Sequence, residues 1–523
     1  MAGPLSYSID LPYFYARFDH GGYVTRGKRE VFLGHDVAAG TNEPPNGIFG
    51  AWRWDGQRLT AENDRFGIYP LYYFANDREV CISPSLVRLL GEGAPNELDY
   101  AALATFLHLG FFLGEDTAFK HIRAMPPNAA FEWTREGLSV KGSRPAAAAR
   151  SISRDDAIDE YISLFRRGVE RRRPEGDYIM PLSGGRDSRH ILFELCRMGC
   201  PPRQCITSFK DPNLSSRNKD TRLAPEVAAR LGIPHRFFTG RASVFKSNLA
   251  ANIAFNFCSG EQTWQFALYT YLNENTPVCY DGAAALLSHS TFVTREPLDL
   301  FAKGRWEELA DYLLRQWSQD AILAGLVDPD HRDLFSRDMA RDRVLQELKL
   351  HDGAANPLIA FYFWNRTRRQ VAMLPHMLLK DLKAVYMPFL DNHVVDFMLS
   401  LAPELTLDRK FHSQAINRAF PQYASIPFSQ DVKTVKSKFD IFMYRSRYFA
   451  NVLWFISRHQ GDWKFLDRNM LLRTILSHCH PARARLGQQF LPNALYLLQL
   501  GHLTNNRAEG LGDFACRLVG EEG

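Results

Sequence analysis

Residues 178–188 read Tyr-Ile-Met-Pro-Leu-Ser-Gly-Gly-Arg-Asp-Ser, and this stretch decides the fold. The apolar run 178–182 predicts a short buried strand, and residues 188–198 show helical periodicity that stops at Gly199. Further strands are predicted over 205–209, 235–238 and 278–280, with a helix over 224–231. Strands that alternate with helices in this way predict a parallel sheet with crossover helices.

The loop after the first of these strands carries the candidate chemistry. Gly184 and Gly185 let the backbone approach a phosphate, and the following helix presents free N–H groups to an anion. Ser183 and Ser188 add hydroxyl groups, and Asp187 is a suitable ligand for a phosphate-bound Mg²⁺. A plain strand-to-helix turn is the alternative. The whole string, including Arg186, favours a nucleotide site with Mg²⁺ on the phosphates.

The regions on either side of this unit have different patterns of apolar and turn residues. The first 140 or so residues are rich in short apolar runs separated by turn residues, which predicts strands over 13–18, 31–33, 49–54, 71–74, 79–83 and 129–133. A helix is predicted over 98–109 with Asn96 as its cap, and another after Ser153. Residues 142–152 read as a linker, and the chain beyond about residue 300 reads as mainly helical.

Composition narrows the class of protein. A chain of 523 residues predicts two or three domains, and a net charge of +5 is too small to indicate a dedicated nucleic-acid binder. The eight cysteines include no CxxC pair and read as structural thiols in a reducing interior. The first residues lack a signal-peptide pattern, and no apolar run approaches the ~20 residues of a membrane span. We therefore expect a cytoplasmic protein without a membrane partner.

Ser183–Ser188 resembles the SGGxDS signature of the PP-loop ATP pyrophosphatases, which adenylylate their substrates and release pyrophosphate. Other segments, in collinear order over nearly the whole chain, are similar to landmarks of the asparagine synthetase family. They are the hairpin Asp-Arg-Phe-Gly-Ile-Tyr-Pro-Leu-Tyr-Tyr at 64–73, Ile-Ser-Pro-Ser at 82–85, Ile-Arg-Ala-Met-Pro-Pro at 122–127 and Pro-Phe-Leu-Asp at 388–391.

This resemblance implies an α/β protein of two domains. The first, residues 1–141, would be a β-rich α+β domain of the Ntn-hydrolase, glutaminase-like type. The second, residues 153–523, would be the ATP-binding, adenylating domain, with a parallel sheet and a helical C-terminal part. The resemblance also places Thr207, Ser208 and Phe209 beside the adenosine, and it allows a homodimer through the β-rich domains.

Two departures from the family pattern bear on activity. Glutamine-hydrolysing members use an N-terminal cysteine that is exposed once Met1 is removed, whereas position 2 is Ala2 and the first cysteine is Cys81. The first domain is therefore expected to be inactive, as in β-lactam synthetases and lasso-peptide cyclases. The family's acidic motif D-G-x-G-G-D-E is replaced by Asp-Gly-Ala-Ala-Ala-Leu-Leu at 281–287. Asp281 is then either a second Mg²⁺ ligand or a turn residue.

Basic residues in the second half extend the candidate site. The resemblance implies a late lysine that stabilises charge on the reacting groups, and Lys433, Lys436 and Lys438 are the candidates, with Lys438 nearest the family pattern. The alternative for each of them is a solvated surface position. Arg366, Arg368 and Arg369 are expected either to line the anion site or to form a charged helix face. Asp391 is expected to support the site structurally.

The resulting hypothesis is an ATP-dependent, AMP-forming amide ligase or cyclase without glutaminase activity, of the kind that serves natural-product biosynthesis. Its substrates would be a carboxylate and an amine, on a small molecule or a peptide. Two alternatives remain open. One is a catalytically silent homologue that acts as a binding or scaffold partner. The other is an asparagine synthetase, which would use ammonia because the glutaminase cysteine is absent.

Overall fold

The computed structural model describes residues 11–37, 44–145, 147–208, 219–238, 244–260, 265–288, 292–316, 319–432, 450–451, 453–454, 463–478 and 487–505. Within these ranges, no helix combines the length and the apolar composition that crossing a bilayer requires. Phe209, Lys433, Lys436 and Lys438 of the predicted site lie outside the described residues.

Two antiparallel five-stranded sheets, with strand orders β2-β1-β7-β6-β8 and β10-β9-β5-β4-β3, form the N-terminal part, residues 11–141. Phe14 of the first sheet and Trp133 of the second are buried between the sheets, whereas Tyr15 faces the helices. This alternation follows from the two-residue period of a strand. The strands are β1 (Phe14–Asp19), β2 (Gly22–Gly27), β3 (Glu30–His35), β4 (Ile48–Trp54), β5 (Leu59–Asn63), β6 (Tyr72–Ala75), β7 (Glu79–Ser83), β8 (Arg123–Ala124), β9 (Ala130–Thr134) and β10 (Gly137–Lys141).

The helices of this part, α1 (Leu86–Gly91) and α2 (Tyr100–Leu109), correct one detail of the sequence prediction. The cap of α2 is Asp99, whose side chain accepts a hydrogen bond from Ala102 N, so the helix begins later than predicted. Asn96 instead donates hydrogen bonds to the carbonyl groups of Leu503 and Thr504, at 3.1 and 3.2 Å. The prediction of Asn96 as the cap was wrong because the side chain is used in a contact with a distant part of the chain.

The C-terminal part, residues 154–505, contains the predicted parallel strands. They are β11 (Ile179–Pro181), β12 (Gln204–Ser208), β13 (His235–Phe238) and β14 (Val278–Tyr280). A fifth strand, β15 (Ala384–Tyr386), was not predicted from the sequence. β12 pairs in parallel with β11 and β13, and β14 pairs in parallel with β15. Thr276 joins the two sheets, because its hydroxyl accepts from Ile179 N at 3.1 Å and donates to Val278 O. The α/β fold class is therefore confirmed. From β11 the chain adds β12 and β13 on one side, and it then places β14 and β15 on the other side of β11, so the order of strands reverses between β11 and β14.

Helices account for most of the remaining C-terminal part, as predicted. The predicted cap Ser153 is confirmed, since its side chain accepts from Asp156 N. The α-helices are α3 (Arg154–Glu170), α4 (Arg186–Arg197), α5 (Lys219–Arg230), α6 (Val244–Ala254), α7 (Phe266–Asn275), α8 (Arg295–Ala302), α9 (Trp306–Arg315), α10 (Gln319–Ala324), α11 (Arg337–Lys349), α12 (Pro357–Tyr362), α13 (Leu374–Leu378), α14 (Asn392–Leu399), α15 (Phe411–Ala419), α16 (Arg468–His478) and α17 (Gly487–Asn505). Short 3₁₀ segments are Ala285–Ser288, Pro329–Phe335, Pro388–Leu390, Pro403–Leu405 and Pro421–Tyr423, and Phe363–Val371 is a π-helix.

Buried arginines of the π-helix join the two parts. Arg368 donates to the carbonyl groups of Gly67 and Gly114, and Arg369 donates to those of Gly114 and Asp116. The structure thus places these arginines against the N-terminal part, and both predicted roles, anion site and charged helix face, were wrong for them. Apolar residues of both parts also share one cluster. The domain bounds remain a prediction.

We expect Arg368→Met to destabilise the chain by about 3 kcal/mol or more, because it leaves buried carbonyl groups and Glu115 without their cationic donor. Arg65→Met is the matched control. Arg65 also joins the two parts, through an ion pair with Asp396 at 2.8 Å, but both side chains of this pair are partly exposed. Its cost should stay below about 1 kcal/mol. Chemical unfolding followed by tryptophan fluorescence measures both. Equal costs would contradict this account of the interface.

Candidate functional site

The loop between β11 and α4 is closed by its own hydroxyl groups. Ser188 Oγ accepts from Ser183 N at 3.1 Å and lies 3.0 Å from Ser183 Oγ. Ser183 Oγ in turn accepts from Gly185 N at 3.2 Å. Gly185 caps α4 in an extended conformation, so the first turn of α4 directs free N–H groups towards the loop. The result is a tight loop at the positive end of a helix dipole, which suits an anion.

Asp220 is a neighbour of this loop that sequence reasoning missed. Its Oδ1 accepts from Gly184 N at 2.8 Å, and it lies in the first turn of α5. A Cβ at position 184 would lie 3.0 Å from both Asp220 Oδ1 and Leu223 Cβ, so a larger residue would have to displace these neighbours by a few tenths of an ångström. The only local signal was an acidic residue at the start of the helix that follows β12. A phosphate at the Gly184 amide would therefore compete with the Asp220 carboxylate.

The structure brings Asp187 and Asp281 together. Asp187 lies in the first turn of α4 with 32% of its side chain exposed, and Asp281 follows β14 directly. Gly282 packs against Asp187 so closely that a Cβ at position 282 would lie 2.7 Å from Asp187 Cβ. Burial raises the pKa of Asp281, and the nearby charge of Asp187 raises it further. The carboxylates of Asp187 and Asp281 thus lie near each other at the point where the order of strands reverses. Ligands usually bind at this position in such sheets.

Asp281 is also a turn residue, which is the alternative role that the sequence left open. Its Oδ1 accepts from Ala283 N at 2.7 Å, which is the bond of a turn, and its Oδ2 accepts from Tyr269 OH at 3.0 Å. Each carboxylate oxygen has two lone pairs, so these bonds leave capacity for a cation. Among the described residues, no group of three or more acidic, histidine or cysteine side chains could hold a metal ion. Mg²⁺ bound beside phosphates is usually held by one or two carboxylates, so the pair of Asp187 and Asp281 fits this ion.

A segment over residues 426–432 covers the loop from the other side. Ser429 N and Arg189 Nη2 both donate to Gly184 O, at 2.8 and 3.0 Å. Arg189 also donates to Ile426 O, and Lys219 donates to Ser429 O. Nothing in the sequence of this segment indicated the contact, because its partners are distant along the chain. The three candidate lysines follow it directly in sequence.

Two further predicted residues have structural contacts. The Thr207 hydroxyl donates to Leu182 O at 2.7 Å and lies 2.8 Å from His235 Nε2, so it is engaged inside the sheet. Ser208 ends β12, and the placement of the adenosine beside these residues stays a prediction. Asp391 is fully buried, caps α14 and pairs with Arg171 and Arg172 at the end of α3. Its contacts agree with a supporting role.

Comparisons with known proteins agree with this architecture in the first part of the chain. Residues 22–143 match the family described as Glutamine amidotransferase domain. The N-terminal part is a glutamine amidotransferase domain. This match confirms the resemblance to the asparagine synthetase family on which the interpretation rests.

One solved structure, that of NMN synthetase from Francisella tularensis, is similar over 41% of this chain and 93% of that chain. The sequence identity is 16% and the TM-score is 0.18, so this likeness carries no argument about function. No curated protein matches the chain. The proposal of an ATP site therefore rests on the geometry of the C-terminal part of this chain.

We expect Gly282→Ala to destabilise the protein by about 1–3 kcal/mol, because the new methyl group would meet the Asp187 Cβ and neither backbone can yield easily. Gly22→Ala is the control, since a Cβ there would meet no heavy atom within 4 Å. Its effect should stay within about 0.5 kcal/mol. Thermal unfolding without nucleotide measures both variants. A Gly282→Ala protein as stable as the control would contradict the close contact of the two strand ends.

Proposed function

We propose that the chain is an ATP-dependent ligase that activates a carboxylate as an acyl-adenylate and converts it to an amide. The observation that carries this proposal is the meeting of Asp187 and Asp281 beside the glycine loop, at the carboxyl ends of β11 and β14. The amidotransferase domain supports the same class of reaction. Intramolecular cyclisation and coupling of two molecules are both compatible with it.

The chemistry requires two displacements. A carboxylate oxygen of the substrate attacks the α-phosphorus of ATP, the bond from that phosphorus to the bridging oxygen breaks, and pyrophosphate leaves. An amine then attacks the acyl carbon, loses one proton, and AMP leaves as the amide forms. The N–H groups in the first turn of α4, directly after the glycines of the loop, would bind the phosphate oxygens. Because these donors are fixed by the fold, they need no rearrangement as charge moves to the leaving group.

Asp187 and Asp281 are the residues that would hold Mg²⁺. When bound, the ion supplies charge neutralisation for the phosphates. The raised pKa of Asp281 means that its ionised form is disfavoured while no cation is near. A cation at this position would favour ionisation of both carboxylates, so metal binding should release protons in the lower pH range.

Loss of glutaminase activity belongs to the same proposal. Within the matched residues 22–143, Cys81 is the only cysteine. It is buried in β7, and burial raises the pKa of its thiol well above the ordinary value, so the nucleophilic thiolate is strongly disfavoured. An amine supplied directly by the substrate, or free ammonia, would replace glutamine as the nitrogen donor.

One observation favours the alternative of a silent homologue. The residues that replace the acidic motif after Asp281 run through a turn into the 3₁₀ segment Ala285–Ser288, and Ala284, Ala285 and Leu287 are buried in the core. The chain thus lacks a further carboxylate in this turn. A silent homologue would bind ATP without turning over any carboxylate. The asparagine synthetase alternative would show turnover with aspartate and ammonia but not with glutamine.

We expect Asp187→Asn to lower ATP- and Mg²⁺-dependent pyrophosphate release by about 100-fold or more, because it removes a charge from the metal-binding pair. The assay uses the full chain with a panel of carboxylic acids, each with ammonia or hydroxylamine as the amine. Asp77→Asn, at an exposed turn, should be unchanged. Full release by Asp187→Asn would overturn the proposed site, whereas nucleotide binding without turnover across the panel would favour the silent homologue.

We also expect Lys438→Ala to lower the rate of pyrophosphate release at saturating ATP by about 100-fold, because a fixed cation stabilises charge that builds up on the reacting groups. The dissociation constant of ATP should change little, by about threefold at most, since this charge is absent before reaction. Lys433→Ala and Lys436→Ala are the matched comparisons, with smaller losses of rate. A larger loss in either comparison variant would reassign the catalytic lysine.

A further inference from the structure

Two buried histidines lie directly behind Asp187. His412 of α15 has no exposed side-chain surface, and its Nδ1 lies 3.4 Å from Asp187 Oδ1. On its other side, His412 Nε2 lies 3.1 Å from Nδ1 of His190, which is also fully buried. Asp187 and His190 are three residues apart on α4, so they share one face of that helix. The three side chains therefore form a line from the site into the core.

The surroundings of the pair are apolar and aromatic. His190 stacks on Phe165 with ring centroids 4.1 Å apart, and His412 lies edge-on to Phe389 at 5.5 Å. Two imidazoles in such a core are costly unless their polar atoms are satisfied by one another or by a third group. Apolar side chains would fill this space without that cost, so the two histidines need a reason other than packing.

The direction of the hydrogen bonds follows from the contacts. Burial, with the nearby His412 and Arg166, holds the pKa of His190 well below its usual range, so His190 is neutral and carries one proton. His190 Nε2 is buried and has no hydrogen-bond partner among the described residues, whereas Nδ1 faces His412. A buried N–H without an acceptor costs more than a buried lone pair, so we assign the proton of His190 to Nδ1, which then donates to His412 Nε2. His412 then carries its proton on Nδ1, on the side of the Asp187 carboxylate.

We propose that His412, with its tautomer set by His190, is a positioning residue that orients the Asp187 carboxylate for Mg²⁺-bound ATP. The inference rests on the proposed function in one respect, the assignment of Asp187 as a metal-binding residue. A group that donates to a metal-binding side chain fixes the direction of its oxygens, and loss of such a group commonly lowers metal affinity by 10- to 100-fold. At 3.4 Å this contact is long for a hydrogen bond, so the N–H guides the carboxylate while leaving it able to turn towards a cation.

The test separates the two ring nitrogens of His412. In His412→Asn the amide nitrogen takes the place of Nδ1 and still faces Asp187, whereas in His412→Gln the amide reaches the place of Nε2 and faces His190. Both replacements are polar and of similar size, so a purely structural role predicts similar effects. Calorimetry measures the dissociation constant of ATP for the full chain, once with Mg²⁺ and once with excess EDTA. The ratio of the two constants gives the gain in ATP affinity due to Mg²⁺.

We expect His412→Asn to keep this gain within about threefold of the unmodified chain, and His412→Gln to lose about tenfold or more. ATP affinity in EDTA should be the same in all three proteins. His190→Phe retains a ring for stacking on Phe165 but removes the donor, and it should also lower the gain. Thermal unfolding identifies any variant that fails to fold, in which case the remaining variant decides.

Equal gains in His412→Asn, His412→Gln and His190→Phe would overturn the positioning role while leaving the proposed function intact. An unmodified chain whose ATP affinity does not depend on Mg²⁺ would overturn both proposals together. The two failures are therefore distinguishable before any substrate is known.

Discussion

The candidate site depends on how closely two strand ends approach each other. β11 and β14 lie side by side because Thr276 bonds to Ile179 N, and their following turns then meet. At that point the backbone of Gly282 lies against the Asp187 side chain, in a space that excludes even a methyl group. Asp281, one residue earlier, is held beside Asp187 as a direct consequence. The sheet therefore creates the pair of carboxylates, since neither loop alone brings them together.

The same constraint explains which parts of the site could be predicted from the sequence. The apolar strand, the two glycines and the first turn of α4 are local features, so the strand and helix within residues 178–198 were predicted with errors of one or two positions at their ends. Asp220 and Ser429 contact the same loop from 36 and 245 residues away, through Gly184. Local patterns carry no information about such pairs. Predicted strands were likewise found in the first part, whereas β2, β5, β8 and β10 were missed because their apolar signal is weak or short.

Arg368 and Arg369 show a different kind of error. Basic residues in a helix are usually exposed or bind an anion, and the sequence was interpreted in that way. In the structure their guanidinium groups are buried and donate hydrogen bonds to the carbonyl groups of Gly67, Gly114 and Asp116. Arg368 also pairs with the Glu115 carboxylate. A guanidinium has five donors, so it can satisfy several carbonyl groups where two surfaces meet. The acceptors lie about 250 residues earlier in the chain, and no local pattern of the π-helix indicates them.

The hairpin at residues 64–73 shows how the N-terminal part supports the C-terminal part. Asp64 is buried and accepts hydrogen bonds from Phe66 N, Ile68 N and Tyr69 N, and burial raises its pKa to about 6. These bonds fix the turn in which Gly67, with a φ of +62°, offers its carbonyl group to Arg368. Without the N-terminal part, two buried guanidinium groups of the C-terminal part would lose their acceptors. The N-terminal part thus supplies the acceptors on which the buried arginines of the C-terminal part depend.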